Sequence, residues 1–123
     1  MTEQIISGDY HAIEGEPLPK GLPIATHDMI VDAIKLVQDP ELMLDVYNLG
    51  LIYNIDIKEN GDVNIDMSLT SPACPIAGEM PGMVARAVSN TLEGVGVVDV
   101  RLIWEPPWTI DRLSDEIKLM MGI

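Results

Sequence analysis

Phenylalanine is absent from these 123 residues, and cysteine occurs once, at Cys74. A single thiol cannot close an internal disulfide, so the chain is not a small secreted domain held by cross-links. Nor can it supply a four-thiolate zinc or iron–sulfur site alone. Histidine is nearly as scarce: His11 and His27 have no ligand-like spacing to each other or to Cys74. His11 lies in an acidic, Pro/Gly-containing stretch and reads as solvated; His27 falls at a helix start and reads as a local polar residue. Positive charge is short as well, with seven Lys and Arg against twenty Asp and Glu, a formal charge of −13. A field of that sign repels phosphate backbones and anionic lipid surfaces, so neither nucleic acid nor membrane is expected as a partner. No apolar run is long enough to span a bilayer, and the N-terminus lacks the basic start and apolar stretch of a signal peptide. The expectation is a soluble, cytoplasmic protein.

What is present suffices for one core. Apolar residues make up 47% of the chain, and a chain of this size buries about two thirds of its unfolded surface. Eight methionines take over part of the filling that aromatic rings would do, since flexible thioethers suit irregular gaps. Residues 1–25 form a leader, extended or flexible. Its Glu14-Gly15-Glu16-Pro17-Leu18-Pro19-Lys20-Gly21-Leu22-Pro23 run excludes a continuous helix or a central strand. Residues 26–123 form the domain.

The domain reads α-β-β-α-β-α. Thr26 is placed to cap a helix on which Ile30, Ala33, Ile34 and Val37 recur at i, i+3, i+4 and i+7. Asp39-Pro40 ends it. Residues 41–51 are mostly apolar without a clean period, a loop packed on the core, with Gly50 at a tight bend. Alternation then marks two strands, one through Tyr53, Ile55 and Ile57 and one through Val63, Ile65, Met67 and Leu69. Asn60-Gly61 between them is a two-residue hairpin signal. A second helical stretch carries Val84, Ala87, Val88 and Thr91 on one side and ends near Gly94. Its start is open between Pro75, directly after Cys74, and Pro81-Gly82, where the main helix begins if a short turn after Cys74 breaks first. A third strand runs from Val97 to Glu105, with Trp104 in phase with its core residues, and Trp108 covers the core edge. Ser114 caps a last helix that closes at Gly122 and buries Leu113, Ile117 and Met120 or Met121. The fold class is α+β: two layers, a small three-stranded sheet covered by helices on one face.

Cys74 stands where the second strand pattern has stopped and the second helix has not begun. Pro75 suits a first helical position, which makes Cys74 an N-cap beside unpaired N–H groups and the positive end of a helix dipole. Such surroundings push a thiol toward thiolate, the form that attacks and binds soft metals. The competing reading is a small buried hydrophobe. Asp45 lies in an apolar loop, where a carboxylate needs a partner: either loop amides or the surroundings of Cys74. A carboxylate beside the thiol would oppose its ionisation, whereas a bound cation would reverse that balance.

The ordered set Asp39-Pro40-Glu41-Leu42, Asp45, Leu49-Gly50-Leu51-Ile52-Tyr53, Leu69-Thr70 through Cys74-Pro75, Gly94-Val95 and Trp104-Glu105-Pro106-Pro107-Trp108 resembles a known family. It is similar to the iron–sulfur cluster assembly domain of SufT- and PaaD-type proteins, the metal–sulfur cluster biosynthetic proteins. The resemblance runs from about residue 27 to the end and is nearer the short SUF-associated form, because the cysteine-rich C-terminal segment of PaaD-type members is missing. It implies a small α/β fold and a role in maturing or delivering iron–sulfur clusters, with Cys74 the reactive position and Asp39, Asp45 and Thr70 supporting it. Asn48 departs from the pattern, standing where many members carry an acidic residue. By residue chemistry alone, Asp39 also serves to cap a turn and Thr70 to cap the next helix.

The resulting expectation is a non-enzymatic accessory factor in iron–sulfur cluster assembly, maturation or transfer, with Cys74 as thiolate to iron or a transient cluster that is not held permanently. Its partners would be the assembly machinery and client apoproteins, with a homodimer as the natural way to complete the ligand set. Two alternatives stay open. One is a thiol-based hydrolase or peroxide-reactive enzyme using Cys74 as nucleophile, though no general base is evident. The other is an interaction adaptor with an inert cysteine.

Overall fold

Thr26 begins the ordered helical layer. Its hydroxyl accepts from the Met29 N–H at 3.2 Å, satisfying one of the donors a helix start leaves open. Helix α1, His27–Ile34, buries Ile30, Val31, Ala33 and Ile34. The computed structural model describes residues 10–39, 43–69, 79–91 and 93–122. The other elements are strand β1 (Tyr10–Glu14), β2 (Ile52–Ile57), β3 (Val63–Met67), helix α2 (Met80–Thr91), β4 (Val98–Leu102), a 3-10 turn at Ile110–Arg112 and α3 (Asp115–Met121).

The strand order is β1-β4-β3-β2. β2 and β3 form the expected antiparallel hairpin, but its connection is longer than two residues. Lys58 N–H donates to the Asp62 carbonyl at 2.7 Å and Gly61 N–H to the Lys58 carbonyl at 3.0 Å. Gly61 is at φ +96°, so a turn followed by one left-handed residue closes the hairpin. β3 and β4 pair in parallel through the α2 crossover.

The sheet has four strands where three are expected from the sequence. The extra one, β1, comes from the leader and pairs antiparallel with β4, His11 opposite Arg101 and Ile13 opposite Asp99. It carries no strong alternation because it lies on an edge: Ala12 packs on the core while Ile13 is 60% exposed. His11 is not merely solvated, since its Nδ1 lies 2.8 Å from Asp99 Oδ1.

One cluster forms the core. Val63, Ile65 and Met67 of β3 and Val98, Val100 and Leu102 of β4 meet Val84, Ala85 and Val88 of α2. Burying each larger side chain contributes about 1.5–3 kcal/mol. The other sheet face carries Asn64, Asp66, Asp99 and Arg101, with Arg101 bonded to both Asp66 carboxylate oxygens at 3.1 and 3.2 Å. Helix α2 starts at Met80, one residue before the expected Pro81; in the first turn a missing N–H costs little. Ser114 caps α3 through the Ile117 N–H at 3.3 Å, and Gly122 closes it at φ +76°. Leu113 and Ile117 are buried, but Met120 and Met121 are 71% and 53% exposed, so neither joins the core. No helix among the described residues is long and apolar enough to cross a membrane.

Candidate functional site

Thr70 and Cys74 lie outside the described residues, as does Pro75 at the expected helix start. The connection carrying them runs between two buried anchors. At its near end Ser68 and Leu69 are 0% and 3% exposed, and at its far end Met80 is 0% exposed. Ser68 N–H donates to the Leu51 carbonyl at 2.8 Å, which extends the β2–β3 pairing past β3. The Ser68 hydroxyl is fully buried and meets no hydrogen-bond partner among the described residues. A buried orphan of this kind is uncommon, and nothing in the sequence pattern singled it out.

Asp39 and Asp45 sit on opposing arms of a small hairpin-like loop. Gln38 and Asp45 form an antiparallel bridge. Asp39 N–H donates to the Leu44 carbonyl at 2.9 Å, and the Asp39 carbonyl accepts from Met43 N–H at 2.7 Å. Alternation along extended backbone therefore sends the two side chains to opposite faces of the loop. Asp39 is 2% exposed; Asp45 is half-buried. At the tip Met43 takes φ +58°, a left-handed conformation costing about 1–2 kcal/mol for a residue with a Cβ.

Both Asp45 oxygens are occupied by one neighbour. Oδ2 accepts from the Asn48 backbone N–H at 2.9 Å and Oδ1 from the Asn48 side-chain amide at 2.8 Å. The loop amide, one of the two partners open to Asp45, is thus engaged, while Cys74 lies outside the described residues. The pairing also explains Asn48: a carboxylate there could not donate, and would set two negative charges against each other.

Three contacts from the C-terminal stretch hold this loop from outside, and a fourth joins that stretch to Tyr53 on β2 just beyond it. Trp108 Nε1–H donates to the Leu49 carbonyl at 2.7 Å and Arg112 Nε–H to the Gly50 carbonyl at 3.2 Å. Ser114 N–H donates to the Asn48 carbonyl at 2.8 Å, and Tyr53 Oη–H to the Pro106 carbonyl at 2.7 Å. The Arg112 guanidinium also stacks 3.8 Å above the centre of the Tyr53 ring. Gly50 is at φ +77°, and a Cβ there would collide with the Arg112 carbonyl. Trp104 and Trp108 both pack against the core, half-buried. The role of Arg112 was invisible in the sequence, since it belongs to no local motif that marks a contact across the chain, whereas Asn48 meets Asp45 only three residues away.

Among the described residues no group of three or more His, Cys, Asp and Glu side chains could hold a metal ion. His27 is an exposed first residue of α1, 4.0 Å from the Asp28 carboxylate.

Residues 27–102 match the family described as "Iron-sulfur cluster assembly protein". The chain is 40% identical to the Fe-S protein maturation auxiliary factor YitW of Bacillus subtilis, over 80% of this chain and 96% of that one. It is 35% identical to the Fe-S protein maturation auxiliary factor SufT of Staphylococcus aureus, over 72% of this chain and 99% of that one. A solved domain of unknown function from Bacillus anthracis is similar in structure, with TM-score 0.73 and 35% identity over 78% of this chain and 91% of that one.

Proposed function

This chain belongs to the iron–sulfur cluster assembly protein family, and from that premise we propose that it is an accessory factor in maturing iron–sulfur proteins in the cytoplasm. The observation that carries the reading is the similarity to two maturation auxiliary factors across nearly their whole length. Cys74, the only thiol, falls within the matched span. In this reading Cys74 supplies a thiolate to iron or to a cluster handled as cargo, and the assembly machinery and client apoproteins are the partners. The two buried anchors, Leu69 and Met80, support a connection whose ends are held still while its middle meets a partner. Thr70 and Asp39 are assigned supporting roles to Cys74. Asp45, with both oxygens engaged, acts by building the 45–50 loop. A thiol-based enzyme gains no support from His11, which is paired to Asp99 on the polar sheet face, away from the helix layer.

One thiolate per chain is too few for a cluster, which normally takes four ligands of that kind. A carrier would therefore share its cargo across a two-fold homodimer, with small thiols or carboxylates completing the set. Anaerobic reconstitution tests this. The wild type is expected to gain cluster absorption at about one cluster per two chains while eluting as a dimer, and Cys74→Ser to lose both. Wild-type protein that stays monomeric and cluster-free overturns the carrier role and leaves Cys74 acting only within a client complex. Asp45→Asn is expected to cost about 1 kcal/mol of stability, because a charged acceptor becomes a neutral one, and to leave cluster maturation in cells unchanged. A stable Asp45→Asn protein with maturation lost would make Asp45 part of the Cys74 site.

A further inference from the structure

At the opposite end of α2 from Met80, about 18 Å along a twelve-residue helix, lies an open groove of about 510 Å³. One wall is Leu22, Pro23 and Ile24 of the leader; the other is Met29 of α1 with Thr91, the last residue of α2, and Glu93 just beyond it. The leader reaches this position because Gly94 has no side chain: a Cβ there would lie 2.5 Å from the Pro23 carbonyl oxygen. Ala25 N–H then donates to the Gly94 carbonyl at 2.8 Å.

The groove leaves large apolar side chains in water. Leu22, Ile24 and Met29 are 49%, 38% and 41% exposed, and Leu36, just past the end of α1, is 66% exposed. Its rim is acidic. Glu93 lines it, Asp28 adjoins Met29, and Asp32 lies one turn along beside it, both exposed. No lysine or arginine lines it: Lys20 lies on the far side of Leu22 and Ile24, in a separate hollow with Glu59 and Asn60, and Lys35 is turned onto the Tyr47 ring, 5.6 Å from its centre.

We propose that this groove docks a basic amphipathic segment of a partner protein, its apolar side chains against Leu22, Ile24 and Met29 and its Lys or Arg against Glu93, Asp32 and Asp28. Charge selects this occupant. A second copy of the chain brings a charge of −13, and four of its seven basic residues are committed: Arg101 to Asp66, Lys58 to Asp56, Arg112 to Tyr53 and Lys35 to Tyr47. Residues 1–9 contain Glu3 and Asp9 and no Lys or Arg, so they mismatch the rim as well. The leader wall lies outside the span that matches the family, 27–102, so the surface adds partner choice to a shared domain.

The test uses the full-length, isotope-labelled chain and two synthetic sixteen-residue helical peptides with the same leucine face, one carrying lysines and the other glutamates. The lysine peptide is expected to shift the amide signals of Ala25, Met29, Thr91 and Gly94. It should bind at least tenfold more tightly than the glutamate peptide, more weakly as salt rises, and about tenfold more weakly to Met29→Ser, an exposed position whose change leaves the fold intact. Shifts spread over the acidic surface, or unchanged binding by Met29→Ser, would reduce the effect to unspecific charge attraction and overturn the proposal. Equal binding of both peptides would overturn the charge argument. Groove shifts on deleting residues 1–9 without peptide would assign the groove to the chain's own start. None of these readouts involves iron or Cys74, so their failure leaves the maturation role standing.

Discussion

The two stretches that flank residues 27–102 are fastened to the domain by different chemistry. The C-terminal one is tied chiefly by side-chain donors, Trp108 and Arg112, aimed at the Leu49 and Gly50 carbonyls of one loop, with a single backbone bond from Ser114 to Asn48 beside them. The N-terminal one is tied by backbone: the β1–β4 ladder and the approach of Pro23–Ala25 to Gly94. Directed side-chain bonds hold particular atoms of the 45–50 loop in place. Backbone pairing holds the leader's path; Ala12 and Ala25 turn to the core while Leu22 and Ile24 remain outward and available to form a groove. One flank therefore positions, and the other presents.

That contrast breaks most readily at Gly50. Gly50→Ala combines an unfavourable positive φ with a collision against Arg112, and is expected to cost about 3 kcal/mol, read as a lower urea midpoint with amide exchange rising across 46–50. A loss under 1 kcal/mol would mean the C-terminal stretch yields freely. Trp108→Phe keeps the ring and removes one donor, leaving the Leu49 carbonyl short of a partner; the expected loss is about 1–2 kcal/mol. An unchanged midpoint would show the bond contributes nothing net. At the other flank, Gly94→Ala puts a Cβ 2.5 Å from the Pro23 carbonyl oxygen but adds no positive-φ strain, so it should cost about 1–2 kcal/mol, less than Gly50→Ala. Its clearer effect should be on peptide binding in the groove. A loss as large as that of Gly50→Ala would erase the distinction between the flanks.

The smallest effect is expected at Lys58, which neither flank ties down. Its ammonium lies 2.9 Å from the Asp56 carboxylate, and hydrogen bonding to Asp56, then the charge of Asp56, raises its pKa from the ordinary 10.5. A raised lysine pKa stabilises the fold below the unfolded value, and that contribution disappears as pH rises through the folded one. Lys58→Met should shift the midpoint only slightly at pH 7, and the gap should close at strongly alkaline pH. A gap that persists there would point to packing by the lysine stem instead.

The amino-acid sequence alone determined whatever is encoded within a few neighbours. The Thr26 and Ser114 caps bond to N–H groups three residues on, and α1, α2 and the β2–β3 hairpin follow from periodicity and a glycine turn. Cys74 could be named as the chain's only thiol, at a strand-to-helix connection within a recognisable family pattern, on the same local grounds. For Asp45 the sequence demanded a partner without saying which, and the folded loop supplied Asn48. The tertiary structure alone decided the parallel pairing of β3 with β4, the recruitment of β1 to the β4 edge, the hold of Trp108 and Arg112 on the 45–50 loop, and the groove beside Gly94. Each joins segments far apart along the chain. Such contacts arise only when burial of the common core brings those segments together, and a short exposed edge strand or a lone arginine carries no periodic pattern to announce them.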